Sequence, residues 1–489
     1  MNDLKEKMIR GGFAKVCSQG ANFVVRVGSL MILARLLDPK DFGLVGMVTA
    51  VTGVFQLFKD FGLSTATIQR TTVTEEQLST LFWINTLIGA MLTILSVAIA
   101  PAIARFYHDP RLFSVTAVLG AGFLFNAFGV QHSAILQRQM RFTTLAVIDS
   151  VSLLAGTAVA FAMAIRGLRY WALVASTIII PLVSTIGMWL TAAWIPGRPG
   201  RQIGIRSMIG FGGTLTLNGL VAYVAYNLEK VLLGRFWGAD AVGLYGRAFQ
   251  LVNIPTDNLN TAVGGVVFSA LSRVQHDAER FRSFFLKSYS LVLTLTIPIT
   301  VVCTVFASDV ILVVLGPKWT EAIVIFRLLS PTILIFALIN PLGWLLYSLG
   351  MVGRGLKIAL VFAPLIIAGY VTGLRYGPKG VAFCYSVVMM LWVIPHIAWC
   401  IHGTMISFRD ILLVVSRPMA SSIVAGGLAF GLRSAYGHWL PPVPRLLLES
   451  TVLLVTFFGI LFFVGGQKSL YLDLFRGLKK GLPGLPSRI

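Results

Sequence analysis

Charge is scarce in this sequence. Asp, Glu, Lys and Arg make up 12% of its 489 residues and 56% are hydrophobic, whereas a soluble domain carries about 25% charged residues. That balance excludes a water-soluble fold. Acid is scarcer than base: 19 acidic residues stand against 40 Lys and Arg, a formal charge of +21. The bases are scattered singly between apolar stretches, with no basic run and no aromatic-rich binding module, which excludes nucleic acid as a partner. They read instead as topology signals and contacts to membrane lipids. The four cysteines (Cys17, Cys303, Cys384 and Cys400) form no CxxC, so neither a disulfide framework nor a zinc site is signalled. His108, His132, His276, His396, His402 and His438 show no ligand spacing, and no P-loop is present. The sequence therefore calls for no metal, no cofactor and no ATP hydrolysis.

What the chain does have is apolar length. About 20 apolar residues cross a bilayer, and stretches of that kind fall near 14–37, 42–68, 81–104, 112–136, 143–165, 170–195, 207–235 and 242–270. Six more follow near 286–307, 321–348, 356–374, 380–402, 411–436 and 446–465. This predicts about 14 helices, with ends uncertain by a few residues. The longest polar gaps, Arg70–Ser79, Ser272–Lys287 and the tail after Gly466, are too short to fold as domains with their own cores. Placing the N-terminus and every second loop in the cytoplasm concentrates Lys and Arg there, including Lys468, Arg476, Lys479, Lys480 and Arg488 of the tail. Both termini are predicted cytoplasmic. The charged Met1–Arg10 runs straight into a full-length span, which should be retained as a signal anchor.

Polar residues inside the first span are ordered. Lys15, Gln19, Asn22, Arg26 and Ser29 share one helical face. An arginine at mid-span is costly against lipid, so the face should line a wet cavity. Arg247 heads a similar stripe in the eighth span with Gln250, Asp257 and Asn260 or Thr261. Lys230 shares a face with Tyr223, Tyr226 and Asn227.

The sequence also repeats. At an offset of 200, Leu33, Arg35, Gly43, Leu44 and Gly46 align without a gap with Leu233, Arg235, Gly243, Leu244 and Gly246, between the first and second helix of each half. Six helices per repeat is even, so both halves cross the membrane in the same sense, about an axis along its normal. The predicted fold is all-α and polytopic, with two six-helix bundles at 1–200 and 201–405. Two further helices and a basic tail occupy 406–489.

The stretch Ala34-Arg35-Leu36-Leu37-Asp38-Pro39-Lys40-Asp41-Phe42-Gly43-Leu44 resembles a hallmark of the polysaccharide transporter branch of the multidrug/oligosaccharidyl-lipid/polysaccharide exporter superfamily. So do Phe61-Gly62-Leu63-Ser64-Thr65-Ala66 and Gly316-Pro317-Lys318-Trp319, the latter followed by Arg327-Leu328-Leu329-Ser330. The resemblance implies a MATE-like fold and a Wzx-type flippase in the bacterial inner membrane, of the colanic acid or succinoglycan type. Its cargo would be undecaprenyl-pyrophosphate-linked oligosaccharide for exopolysaccharide or lipopolysaccharide. A polymerase and a co-polymerase are the implied protein partners.

Such a cargo needs cations for its pyrophosphate and aromatic faces for its sugars. The candidate substrate-binding residues are Arg26, Asn22, Gln19, Lys230, Arg247, Arg327 and Tyr226. Asp60, Glu229 and Asp257 could bind H⁺ or Na⁺ to couple export, or simply compensate charge (Asp257 with Arg247, Glu229 with Arg26). No catalytic residue is expected. The alternatives are a sibling transporter for lipid II or drug cations, disfavoured by the excess of intramembrane base, and a membrane polymerase, disfavoured by the short outer loops.

Overall fold

The computed structural model describes the backbone of residues 2–59, 64, 67–68, 73–200, 206–436 and 439–464. Within these, side chains are described outside 2–17, 206–219, 221–222, 261–262, 436 and 464. Asp60, most of the Phe61–Ala66 motif, the side chains of Lys15 and Cys17, His438 and the basic tail lie outside the described residues.

The regular elements among the described residues are all helical, and no strand occurs among them. The helices are α1 (Asn2–Leu36), α2 (Pro39–Phe58), α3 (Glu75–Tyr107), α4 (Arg111–Arg138), α5 (Phe142–Ile165) and α6 (Trp171–Ala192). The segment Arg206–Arg273 is broken at Gly238 and supplies α7 before the break and α8 after it. Then come α9 (Ala278–Val305), the short α10 (Ala307–Val314), α11 (Ala322–Ser348) and α12 (Val352–Leu374). The last three are α13 (Gly377–Ile401), α14 (Phe408–Tyr436) and α15 (Pro442–Gly459). With α10 counted as the end of the span begun by α9, fourteen membrane-length segments result. Eleven of them meet the length and hydropathy criterion for crossing a membrane among the described residues.

Two polar gaps are more helical than the sequence reading placed them. The Ser272–Lys287 gap is mostly the first turns of α9, started by Asp277, whose carboxylate accepts the N–H of Arg280 at 3.1 Å. The Arg70–Ser79 gap holds the start of α3, where Thr74 and Gln77 exchange backbone-to-side-chain hydrogen bonds of 3.1 and 3.2 Å. Both caps satisfy backbone donors that would otherwise be orphaned at a helix start, so the helices reach past the apolar core.

Contacts cluster into two compact units. One holds residues 1–246 with 314–318, and the other holds 247–313 with 319–489. In the first, α3 lies against α4, α5 against α6, and α1 against α5. In the second, α12 pairs with α13, and α14 and α15 pack on one another and on α9. Phe306, Ala425, Ala429, Leu453, Phe457 and Leu461 form a fully buried cluster there. In lipid, apolar side chains gain little by leaving their solvent, so close packing over small residues such as Ala425 and Ala429 holds such a seam. Ions reinforce it. The fully buried Asp309 pairs with Arg433 at 2.8 Å and with Arg445, while Glu449 lies 3.7 Å from Arg433.

The internal repeat extends beyond its sequence register. Arg141 at the start of α5 donates to the carbonyl of Thr191 at the end of α6, at 2.7 Å. Arg354 at the start of α12 donates to that of His402, just past α13, at 2.6 Å. In each repeat the fifth helix thus opens with a guanidinium that caps the sixth.

Candidate functional site

The polar stripe of α1 divides on folding. Ser18 shares a 3.0 Å hydrogen bond with Ser150 of α5, and the Asn22 carboxamide donates to Ser18 at 3.5 Å. That edge forms a polar seam between α1 and α5. Gln19 and Arg26 are exposed, and Arg26 has no hydrogen-bond or ion-pair partner among the described residues. A guanidinium without a protein partner can pair with an anion from outside the protein.

Helix α7 brings the second group together. The Tyr223 hydroxyl donates to the carbonyls of Thr49 and Ala50 of α2, at 2.9 and 3.2 Å. It can do so because Gly53 has no side chain in its way. One turn on, Asn227 accepts from Lys230 Nζ at 2.9 Å. Tyr226 is exposed, as an aromatic face for a sugar would need to be. Glu229 is fully buried, and neither of its oxygens accepts a hydrogen bond among the described residues. Its charged neighbour is Lys230 at 3.9 Å, and no Arg26–Glu229 pair forms. On α8, Arg247 donates to Gln250, and Asp257 is exposed. Arg327, on α11, is exposed with no partner among the described residues.

A third feature lies at the α1–α2 turn, where the sequence repeat and the Ala34–Leu44 hallmark coincide. Helix α2 begins at Asp38-Pro39, where the Asp41 carboxylate accepts the N–H of Asp38 at 3.2 Å. Helix α8 begins instead at Gly238, with φ 79° and ψ −174°, a conformation open essentially to glycine alone. The two helix starts cross reciprocally. A Cβ at Gly43 would collide with the Ala239 carbonyl, and one at Gly243 with the Pro39 carbonyl. Since 239 and 243 are 39 and 43 advanced by 200, the contact obeys the two-fold relation of the repeats.

The repeat arginines flank this crossing. Arg35 donates to Val314 at 3.3 Å and to its own helix at Met31, 2.9 Å. Lys318 pairs with Asp38 at 2.9 Å. Arg235 donates to the His108 ring and lies 5.4 Å over the Phe106 ring. His108 ends the third helix of the first repeat, and Val314 ends the corresponding segment of the second. Each arginine therefore grips the far repeat's turn. Beside His108, the Arg111 guanidinium holds the Asp109 carboxyl below the usual carboxylate range. Asp38 and Asp41 thus serve pairing and capping. Among the described residues, no cluster of metal-ligating side chains occurs.

The chain is similar to proteins of known name over most of its length. It is 26% identical over 400 residues to the lipopolysaccharide biosynthesis protein WzxC of Escherichia coli strain K12, covering 79% of this chain and 80% of that one. It is 27% identical over 428 residues to the teichuronic acid biosynthesis protein TuaB of Bacillus subtilis strain 168, covering 85% and 87%. Its fold matches that of the lipid II flippase MurJ in an inward closed conformation, with a TM-score of 0.74 at 13% identity over 92% of this chain and 99% of that one. A sequence model of a family described as polysaccharide biosynthesis protein matches residues 32–324. That is more than half of the chain, and the chain belongs to the polysaccharide biosynthesis protein family.

Proposed function

We infer that this chain is a flippase that carries polyprenyl-pyrophosphate-linked oligosaccharide units across the bacterial cell membrane by alternating access. The observation that carries the reading is membership of a polysaccharide biosynthesis family on a fold shared with a lipid flippase. The protein is a transporter and performs no catalysis. Lipid-linked cargo exposes two phosphates that cannot enter hydrocarbon, and a cationic wet path hides them. Arg26, Lys230, Arg247 and Arg327 are the cations offered to them, with Gln19, Asn22 and Tyr226 on the sugars.

The bodies that rock are residues 1–200 and 201–405, with 406–489 fixed to the second through Asp309, Arg433 and Arg445. Both termini face the cytoplasm, which puts the α1–α2 turn outside. Its arginine clasp then closes the outer end when cargo loads from within. Glu229, buried without a hydrogen bond, is the best placed of the three acids to bind H⁺ or Na⁺ and couple the cycle. A polymerase and co-polymerase would receive the delivered unit.

The test is a deletion strain in which lipid-linked units are quantified on each leaflet. Complete units stranded on the cytoplasmic leaflet, with polymer missing outside, are expected. Units that reach the outer leaflet but stay unpolymerised would overturn the reading.

A further inference from the structure

Two of the cations offered to the cargo are held by neutral amides. On α7, Lys230 Nζ donates to the side-chain oxygen of Asn227 at 2.9 Å. On α8, Arg247 donates to the side-chain oxygen of Gln250, three residues on. The cations that fasten one helix to another have carboxylate partners instead: Arg433 and Arg445 meet the buried Asp309, and Arg282 of α9 meets Asp410 of α14. The difference is chemical. A carboxylate cancels the charge it holds, whereas a carboxamide oxygen accepts the hydrogen bond and leaves the charge in place.

On α7 the orientation of the amide is fixed. Asn227 Nδ2 donates to the Tyr223 carbonyl at 3.0 Å, so Oδ1 is the atom turned to Lys230. Tyr223 is itself anchored, its hydroxyl on the carbonyls of Thr49 and Ala50. The bonds therefore run from α2 through Tyr223 and Asn227 to the ammonium. Glu229 competes for that ammonium from 3.9 Å, but its oxygens accept no hydrogen bond among the described residues. An ammonium has three N–H donors. One goes to Asn227, and two remain for an acceptor from outside the protein. The Lys230 side chain is 24% exposed, so such an acceptor can reach it. Loss of Asn227 would let the flexible lysine stem close the remaining distance to Glu229, and the ion pair would cancel the charge.

We propose that Asn227 is a positioning residue that holds the Lys230 ammonium off Glu229, still charged and free to bind a phosphate of the lipid pyrophosphate. The proposal rests on the flippase reading and deepens it, by naming the group that orients one of its cations.

The experiment titrates the full chain in lipid nanodiscs with undecaprenyl pyrophosphate and with undecaprenol, which has the same tail and no charge. The unaltered protein should bind the pyrophosphate more tightly. Asn227→Ala should weaken binding of the pyrophosphate about tenfold and leave undecaprenol unchanged. In a Lys230→Met background the same substitution should cost nothing further, because Asn227 acts through the ammonium. A loss for both lipids, or an equal loss with Lys230 already removed, is what a merely structural role gives, and either overturns the proposal. So does no loss at all, and in each of these cases the flippase reading stands. If Asn227→Ala does not fold, Asn227→Ser takes its place in the same cycle, its hydroxyl too short to reach Lys230. If the unaltered protein does not prefer the pyrophosphate, the flippase reading fails and the positioning role fails with it.

Discussion

In the proposed orientation, cutting the clasp at the α1–α2 turn should release the outer end of the protein. Three interactions hold it: Arg35 on the Val314 carbonyl, Arg235 on His108, and Lys318 on Asp38. The ion pair is exposed on both sides and contributes about 0.2–1 kcal/mol. A charged hydrogen bond contributes about 1.5–3 kcal/mol when buried, and the two arginines, partly in water, are taken at about 1 kcal/mol each. Together the clasp is worth roughly 2–3 kcal/mol, or between about thirtyfold and about 150-fold in a two-state population. The reporter is Met47, 1% exposed and one turn beyond the helix crossing. In a background without Cys17, Cys303, Cys384 and Cys400, Met47→Cys would be labelled in intact cells by a membrane-impermeant maleimide. Arg35→Ala and Arg235→Ala should each speed labelling severalfold, and together multiply, because both arms oppose one opening. Unchanged labelling in a folded double variant would show that the arginines close nothing.

Arg26→Ala should abolish polymer export while protein level and membrane insertion stay normal; normal export would remove Arg26 from the path. Glu229→Gln should preserve folding and erase the dependence of transport on an imposed proton or sodium gradient, measured in proteoliposomes. A retained dependence would leave Glu229 with charge compensation alone. Asp309→Ala strands Arg433 and Arg445 in a buried site and should cost about 3–5 kcal/mol, read as a fall in thermal unfolding temperature in detergent. An unshifted transition would mean that α14 and α15 are held by packing without the ions.

Helix number and membrane character were legible because apolar length alone reports them. Where helices start was less so. The first turns of α3 and α9 are polar, and hydropathy drops them into loops, although Thr74-x-x-Gln77 and Asp277 carry the capping chemistry that extends them. The candidate cations were legible as charges within apolar runs, but their company was not. Asn22 sits on the Arg26 stripe by spacing and yet turns into the Ser18–Ser150 seam, because a wide helix face meets both a neighbour and open space. Glu229 pairs with Lys230 and not with Arg26, a matter of tertiary placement that no offset of 200 encodes.

The repeat itself explains why the clasp is not symmetric. Asp109-Pro110-Arg111 of the first repeat corresponds in the fold to Gly316-Pro317-Lys318 of the second, as Asp38 corresponds to Gly238. Each repeat's turn thus carries one base, but its acid sits in different places. Where the first repeat has Asp109, the second has Gly316, with φ 97° and with Arg35 packed over its missing side chain. Lys318 reaches across to Asp38. Arg111 finds Asp109 two residues away, at 2.6 Å, and stays within its own turn. Nor could it find an acid at 238, since the φ and ψ of that break exclude any residue with a Cβ. The backbone solution chosen for the start of α8 therefore dictates that one arm of the clasp is an arginine with an ion pair and the other an arginine alone. The double variant Asp38→Ala/Arg35→Ala, which leaves only the unassisted Arg235 arm intact, should open the turn further than the single variant Arg235→Ala does.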